Sequence, residues 1–329
     1  MSIEDAPLVR SGLFKTPEAD YLFITIHHLV IDGISWRIFI QDLDSAYTQI
    51  IEGNDIVLRN KTDSFALWSK KLKELAASFT IQSERKYWEK QLNQKLLPFY
   101  KDFYIDNGTH KDTEMLMMEL SEAETKQLTT QTNIPFNTEL TEILLTALAK
   151  SFNELYGDEK ICLSLEGHGR TNLVENIDVS RTIGWFTSVY PAILDICGGK
   201  DLSEMIINIK ESLRRIPNKG IGYGLLKYFS ENTAQEDSNL HDVHPDISFN
   251  YLGEFDNILD FKQFSIVSNS ISLFVNNQRK RRFALQIDGM IINKKLRFSF
   301  SYSTRQYLAS TVEQIITCFK SNISEIINY

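Results

Sequence analysis

The chain has 329 residues, 43% hydrophobic, 24% charged and 11% aromatic, a composition that excludes disorder and supplies core for about two domains or one two-lobed unit. Acidic residues number 43 against 35 basic ones, a formal charge of -8 that argues against a nucleic-acid partner. Cys162, Cys197 and Cys318 lie too far apart for a disulfide or zinc framework, and neither a signal peptide nor a long apolar run is present, so a cytoplasmic protein with no membrane partner is expected.

In chain order, the aromatic and β-branched stretch Tyr21–Val30 predicts a strand apolar on both faces, hence central in its sheet. Asp32-Gly33 ends it. Helical spacing follows in Trp36, Ile40, Leu43 and Tyr47, and again in Phe65, Trp68, Leu72 and Leu75. Tyr87, Trp88 and Leu92 mark another helical stretch. Pro98 to Asp112 is mixed in polarity and carries Asn107-Gly108, which makes it the expected lobe boundary. Beyond it come a strand over Met115–Leu120, a capping box at Ser121 and Glu124, and an amphipathic helix over Thr138–Tyr156. Ile161–Leu165 reads as a strand ending at Glu166, Trp185–Ile196 as extended, Asp201–Ile216 as helical and Asp246–Leu252 as a strand. A hairpin turning at Asn293-Lys294 and a helix over Gln306–Ile327 close the chain. Glycines 220, 222 and 224 read as a flexible loop, and Arg279-Lys280-Arg281-Arg282 as a solvated edge. The irregular mixture predicts an α/β (α+β layered) fold in two lobes, 1–110 and 111–329.

Three clusters could carry chemistry. In His27-His28-Leu29-Val30-Ile31-Asp32-Gly33, strand alternation sends the two histidines to opposite faces. A histidine ending an apolar strand is expected to be desolvated, which favours the neutral, proton-accepting form. A hydrogen-bonded core histidine is the equally open alternative, and metal binding lacks a third ligand nearby. Glu166-Gly167-His168-Gly169-Arg170 places a carboxyl just past a strand end, where flanking glycines permit close approach of a substrate; an exposed turn acid is the alternative. Phe249-Asn250-Tyr251-Leu252-Gly253 ends a strand with polar groups on both faces.

Taken together, these residues resemble the epimerization domains of nonribosomal peptide synthetases, in the condensation-domain superfamily. Six segments stand in the family's order: HHLVIDGISWRI from His27, DSFALW from Asp63, EGHGR from Glu166, RTIGWFTSVYP from Arg181, PNKGIGYG from Pro217 and FNYLG from Phe249. The His-His motif is shared across condensation domains; EGHGR, PNKGIGYG and FNYLG resemble the epimerization branch. Thr171 departs from the family's glutamate after the EGHGR arginine. Only 26 residues precede His27, so the resemblance implies an N-terminally truncated domain.

The resemblance implies a two-lobed chloramphenicol-acetyltransferase-like fold with an incomplete N-terminal lobe, residues 1–110 carrying the HHxxxDG motif and 111–329 carrying EGHGR, RTIGWFT and FNYLG. It implies inversion at Cα of an aminoacyl or peptidyl thioester. The substrate would ride on the 4'-phosphopantetheine of a carrier domain, with no cofactor of the domain's own and with neighbouring synthetase modules as partners. His28 and Glu166 map to the catalytic pair, expected to face each other across a cleft with His27 turned into packing. Asp32, following the histidines and joined to Gly33, is expected to hold the turn and pair with Arg181 in preference to Arg37. Asn250 and Tyr251 are expected as pocket groups. Two other readings stay open: a condensation domain that forms peptide bonds, and a non-catalytic remnant that docks to a carrier domain.

Overall fold

Alternation of apolar and polar residues builds a six-stranded mixed sheet from β3 (Thr113–Glu119), β4 (Lys160–Gly167), β5 (Ser188–Asp195), β6 (Ile247–Glu254), β7 (Leu285–Ile292) and β8 (Lys295–Ser303). In this computed structural model, which describes residues 3–94, 98–197, 199, 201–229, 243–256, 263–265 and 275–329, the strand order is β3-β8-β7-β6-β4-β5. The β4–β6 and β6–β7 pairs are parallel, and β8 runs antiparallel to both β7 and β3. Asn293 and Lys294 turn the β7–β8 hairpin, both with left-handed backbone.

One sheet face carries Leu163, Phe249, Ile287, Phe298 and Phe300, all essentially buried, each such burial contributing roughly 1.5–3 kcal/mol. The apolar stripes of two helices join this core, Leu140–Tyr156 and the C-terminal Ala309–Asn328. Before the first of them, Ser121 and Glu124 form the expected capping box of helix Glu122–Thr130. The α/β expectation therefore holds. No helix among the described residues is long and apolar enough to cross a membrane.

By contact, the described residues fall into two compact units. The first takes those of Met1–Leu75, His168–Ser188 and Asp260–Ser265; the second takes Ala76–Gly167, Val189–Leu259 and Ile266–Tyr329. The position near residue 110 thus lies inside the second unit. There, helix Phe79–Leu92 packs against helix Ile221–Phe229. The chain passes between units within EGHGR, after Gly167.

The first unit contains β1 (Val9–Lys15), β2 (Asp20–Ile26), α1 (Gly33–Ile51) and α2 (Phe65–Ala76, its last residue in the second unit). Here the structure corrects the strand expectation. β2 pairs with the unanticipated β1, and Tyr21, Leu22 and Phe23 are exposed, so β2 is not a central strand among the described residues. Apolar character reports strand propensity, whereas burial depends on what lies alongside.

Two more expectations change. Pro217–Gly220 is a 3-10 turn, and Gly222 and Gly224 lie in helix Ile221–Phe229 instead of a loop. A Cβ on Gly222 would stand 1.9 Å from the Glu84 carboxyl, so close packing explains that glycine. Arg281, within the supposed solvated run, is buried and donates to Thr113 Oγ1 and the Ser301 carbonyl. Backbone pairing of Lys280 and Arg281 with Thr109 and Gly108 turns its side chain inward.

Candidate active site

The histidine motif is not read by strand alternation. β2 ends at Ile26, and His28–Val30 forms a single 3-10 turn. His27 is its N-cap: its Nδ1 accepts the Leu29 N–H at 3.2 Å, which fixes that ring locally. His28 is exposed, not desolvated as expected, because the turn leaves no strand neighbour to cover it. Its imidazole lies against the Trp185 indole, ring centroids 5.1 Å apart and tilted by 46°.

Asp32 and Gly33 begin α1. Asp32 is the N-cap, its Oδ1 accepting the Ser35 N–H at 2.7 Å. Gly33 is exposed with open space beside it, so no contact among the described residues demands a glycine there. The Asp32 carboxylate also accepts from Arg170 Nη2 at 3.3 Å and from the Phe186 N–H at 3.1 Å. This overturns the expected Asp32–Arg181 pair: Arg181 bonds Asp42 on α1 instead.

Arg170 gathers the unit. Its Nη1 reaches the carbonyls of Val179 and Thr182, and its Nη2 also reaches the Ser35 hydroxyl, which itself donates to the Gly184 carbonyl. The guanidinium lies 3.9 Å over the Phe186 ring, against which Phe65 and Trp68 also pack. Burial pushes the Arg170 pKa down, and the neighbouring Asp32 charge opposes that shift. Gly169 has a φ of +68°, and a Cβ there would meet the Phe186 carbonyl oxygen at 1.6 Å. Only glycine fits this approach. The HHxxxDG, DSFALW, EGHGR and RTIGWFT segments are therefore joined around Asp32, Ser35, Arg170 and Phe186.

In the second unit, Leu165 pairs with Phe249 and both side chains enter the core. Alternation places the next residues, Glu166 and Asn250, on the opposite face, where the Asn250 amide donates to Glu166 Oε2 at 2.8 Å. Glu166 is exposed at its strand end. Tyr251 packs half-buried against the core side, so it does not share the Glu166 face. Gly253 has a φ of +87° where the β6–β7 register slips.

Chemically, the first unit offers an exposed imidazole on a rigidly anchored turn, and the second an exposed carboxyl oriented by an amide. Imidazole and carboxyl are both side-chain types that can transfer protons. Among the described residues, no cluster of three His, Cys, Asp or Glu side chains is arranged to hold a metal. Sequence reasoning missed Trp185 and Arg170 as site-building residues. Both lie inside quoted segments, and an arginine next to the glycine of a tight approach was the available signal.

A family model described as "Condensation domain" matches residues 1–329. Bacitracin synthase 2 of Bacillus licheniformis is 37% identical over 331 residues, covering 100% of this chain and 12% of the synthase. Gramicidin S synthase 1 of Brevibacillus brevis is 39% identical over 339 residues, covering 100% of this chain and 31% of that protein. The chain thus spans only a fraction of the curated relatives it matches. Among solved structures, the epimerization domain from the third module of tyrocidine synthetase B is 36% identical with a TM-score of 0.91, covering 98% of this chain and 72% of that one.

Proposed function

The chain belongs to the condensation-domain family, and within that family we propose that it is an epimerization domain, inverting Cα of an aminoacyl or peptidyl thioester from L to D. The substrate is held on the 4'-phosphopantetheine of a carrier domain in a multimodular synthetase. The observation that carries this reading is the Glu166 carboxyl held by the Asn250 amide at a strand end, within the EGHGR and FNYLG segments. Peptide-bond formation needs a base for one incoming amine and no second, oriented carboxyl. Inversion needs two groups. His28 and Glu166 supply them: one removes the α-proton to give the thioester enolate, and the other returns a proton on the opposite face. Similarity to the tyrocidine synthetase epimerization domain supports the same reading.

The other catalytic reading is amide bond formation by a condensation domain, and one experiment separates them. A synthetase polypeptide bearing this chain beside its carrier domain is loaded with an α-deuterated L-aminoacyl thioester in water, and a second carrier domain bearing an acceptor aminoacyl thioester is supplied. Loss of deuterium together with D product is the expected result. Peptide product with the label and configuration retained would establish the condensing reading instead, and no turnover of either kind would indicate a non-catalytic docking module.

A further inference from the structure

Arg281 is a buried cation with no acid beside it. The residue is only 6% exposed. Its Nη1 donates to Thr113 Oγ1 at 2.6 Å and to Ser301 Oγ at 3.3 Å, and its Nη2 donates to the Ser301 carbonyl at 3.0 Å. The Nε–H has no acceptor, and among the described residues no carboxylate bonds or pairs with the guanidinium. An arginine does not shed its charge on burial, so this part of the fold holds a positive charge that an anion would compensate.

Two hydroxyls relay that charge. Each accepts from Arg281 through its oxygen, which leaves its own O–H hydrogen to donate, and among the described residues neither hydrogen has an acceptor. A hydroxyl whose oxygen is held by a cation is a stronger donor, because hydrogen bonds in series polarise one another. Thr113 and Ser301 are half-buried where Arg281 is buried, so an anion meets the two hydroxyls without displacing the guanidinium.

The surroundings are basic. Arg279, Lys280 and Arg282 are exposed, and burial, followed by the charges of Arg281 and Arg279, pushes the His110 pKa down. The neighbouring acids are engaged: Asp112 accepts from the Thr109 N–H and hydroxyl, and Asp288 accepts from Gln286 Nε2.

These hydroxyls share a sheet face with Glu166. Phe300 and Tyr302 enter the core, so alternation sends Ser301 to the face that carries Asn250 and Glu166. Ser164, Ser248, Gln286 and Ser301 are register partners in one row across β4, β6, β7 and β8, and Glu166 stands two residues beyond Ser164. Three strand spacings of about 4.8 Å and two residues of about 3.3 Å put Ser301 about 16 Å from Glu166 along the sheet. In a phosphopantetheine thioester, the phosphorus and the substrate Cα are separated by about fifteen bonds, the length of about five extended residues or about 17 Å. The two spans agree.

We propose that Thr113 and Ser301, backed by Arg281, form an anion seat for the phosphodiester of the carrier's pantetheine arm, at the distance that delivers the substrate Cα to Glu166. The identity of the anion rests on the carrier-bound substrate proposed above, whereas the seat can be tested without turnover.

Binding to the chain is measured by calorimetry with 4'-phosphopantetheine, pantetheine and inorganic phosphate. Phosphopantetheine should bind at least about tenfold tighter than either of the others. Removing Arg281 itself would also strip contacts from three elements, so the variants are made at the hydroxyls. Ser301→Ala keeps the carbonyl that Nη2 uses, and should weaken phosphopantetheine by about ten- to hundredfold while pantetheine binds as before. Thr113→Val should act alike, and Thr113→Ser, which returns the hydroxyl, should recover the affinity. Equal binding of phosphopantetheine and pantetheine overturns the proposal, as does a Ser301→Ala variant that discriminates between them like the parent. Inorganic phosphate bound as tightly as phosphopantetheine would mark a free-phosphate site and overturn the assignment to the arm. With soluble α-deuterated L-aminoacyl thioesters of the two pantetheines, the parent should show the lower KM for the phosphorylated one, and Ser301→Ala should lose that preference. If neither thioester loses deuterium while the binding preference still disappears in Ser301→Ala, the epimerization reading fails and the anion seat stands.

Discussion

The Asp32 carboxylate meets the Arg170 guanidinium at 3.3 Å across 138 residues of sequence, with both side chains nearly excluded from solvent. Each also anchors backbone: Asp32 caps α1 and accepts the Phe186 N–H, while Arg170 donates to the Val179 and Thr182 carbonyls. Four sequence segments are thereby tied to the turn that presents His28.

Removing either partner strands a buried charge. Asp32→Ala should cost about 3–5 kcal/mol, with about 1 kcal/mol more from the lost helix cap. Arg170→Lys should also destabilise, because a point ammonium cannot reproduce the fork that reaches two carbonyls, a hydroxyl and a carboxylate. Urea midpoints measure both losses. A double variant lacking both charges should lose less than the sum, and strict additivity would show that the two groups do not act as a pair.

Trp185 is expected to hold the His28 ring. Its indole touches the imidazole on one side, and an aromatic pair of this kind contributes about 0.5–1.5 kcal/mol. Trp185→Ala should therefore slow net inversion by about two- to twelvefold while leaving folding intact. Trp185→Phe should recover most of that rate. A Phe variant as slow as the Ala variant would show that the ring contact is not what matters.

The sequence made visible those features that are set within a few residues of chain. The capping box at Ser121 and Glu124 and the β7–β8 hairpin at Asn293-Lys294 are local, and both appear as expected. The His-His alternation failed because it assumed extended backbone, whereas the His27 ring bonds the Leu29 N–H and starts a 3-10 turn at His28. No local signal could choose Arg170 over Arg181 for Asp32, since that choice depends on how distant segments meet. The glycines of PNKGIGYG were misread for the same reason: Gly222 answers to Glu84, far away in sequence. The Glu166–Asn250 pairing was within reach, because each residue follows an apolar strand position on the side away from the core.

Glu84 offers a pH test of stability. This buried carboxyl accepts from Trp88 Nε1 at 3.1 Å and from Asn218 Nδ2 at 2.5 Å, where Asn218 and Lys219 both hold left-handed backbone. Burial pushes its pKa up, with the two hydrogen bonds opposing. A carboxyl whose folded pKa exceeds its unfolded value contributes stability below the unfolded pKa, and that contribution is lost as pH rises through the folded pKa. Glu84→Gln cannot ionise, and the Asn218 amide can turn to suit it. Its stability relative to the unsubstituted chain should thus improve as pH climbs from acid to neutral, read from urea midpoints at each pH. Glu84→Ala should show the same pH trend but lie about 1–3 kcal/mol below Glu84→Gln at every pH, because it leaves the Trp88 and Asn218 donors without an acceptor. A Gln variant that tracks the parent across the whole range would assign no titration to this site.

The decisive prediction concerns His28 and Glu166 themselves. Loss of either proton-transfer group should lower net inversion by about 10²–10⁴-fold in the carrier-loaded synthetase. The two steps separate isotopically. Deuterium leaves in the first, and configuration is decided in the second. A variant lacking the group that attacks the L substrate should neither release deuterium nor form D product. A variant lacking the group that reprotonates the far face can still release deuterium, while its enolate collapses back to L. His28→Ala and Glu166→Gln should therefore give different patterns with L substrate, and the two patterns should exchange when the D thioester is supplied. Folding is not at issue for either, since both side chains are exposed and neither bears on the Asp32–Arg170 pair. Asn250→Leu should resemble a weaker Glu166→Gln, because it removes the amide that orients that carboxyl. D product at the parent rate from either His28→Ala or Glu166→Gln would refute the two-group mechanism. The same single-step defect in both variants would mean that they serve one proton transfer together, leaving the opposite face to another donor.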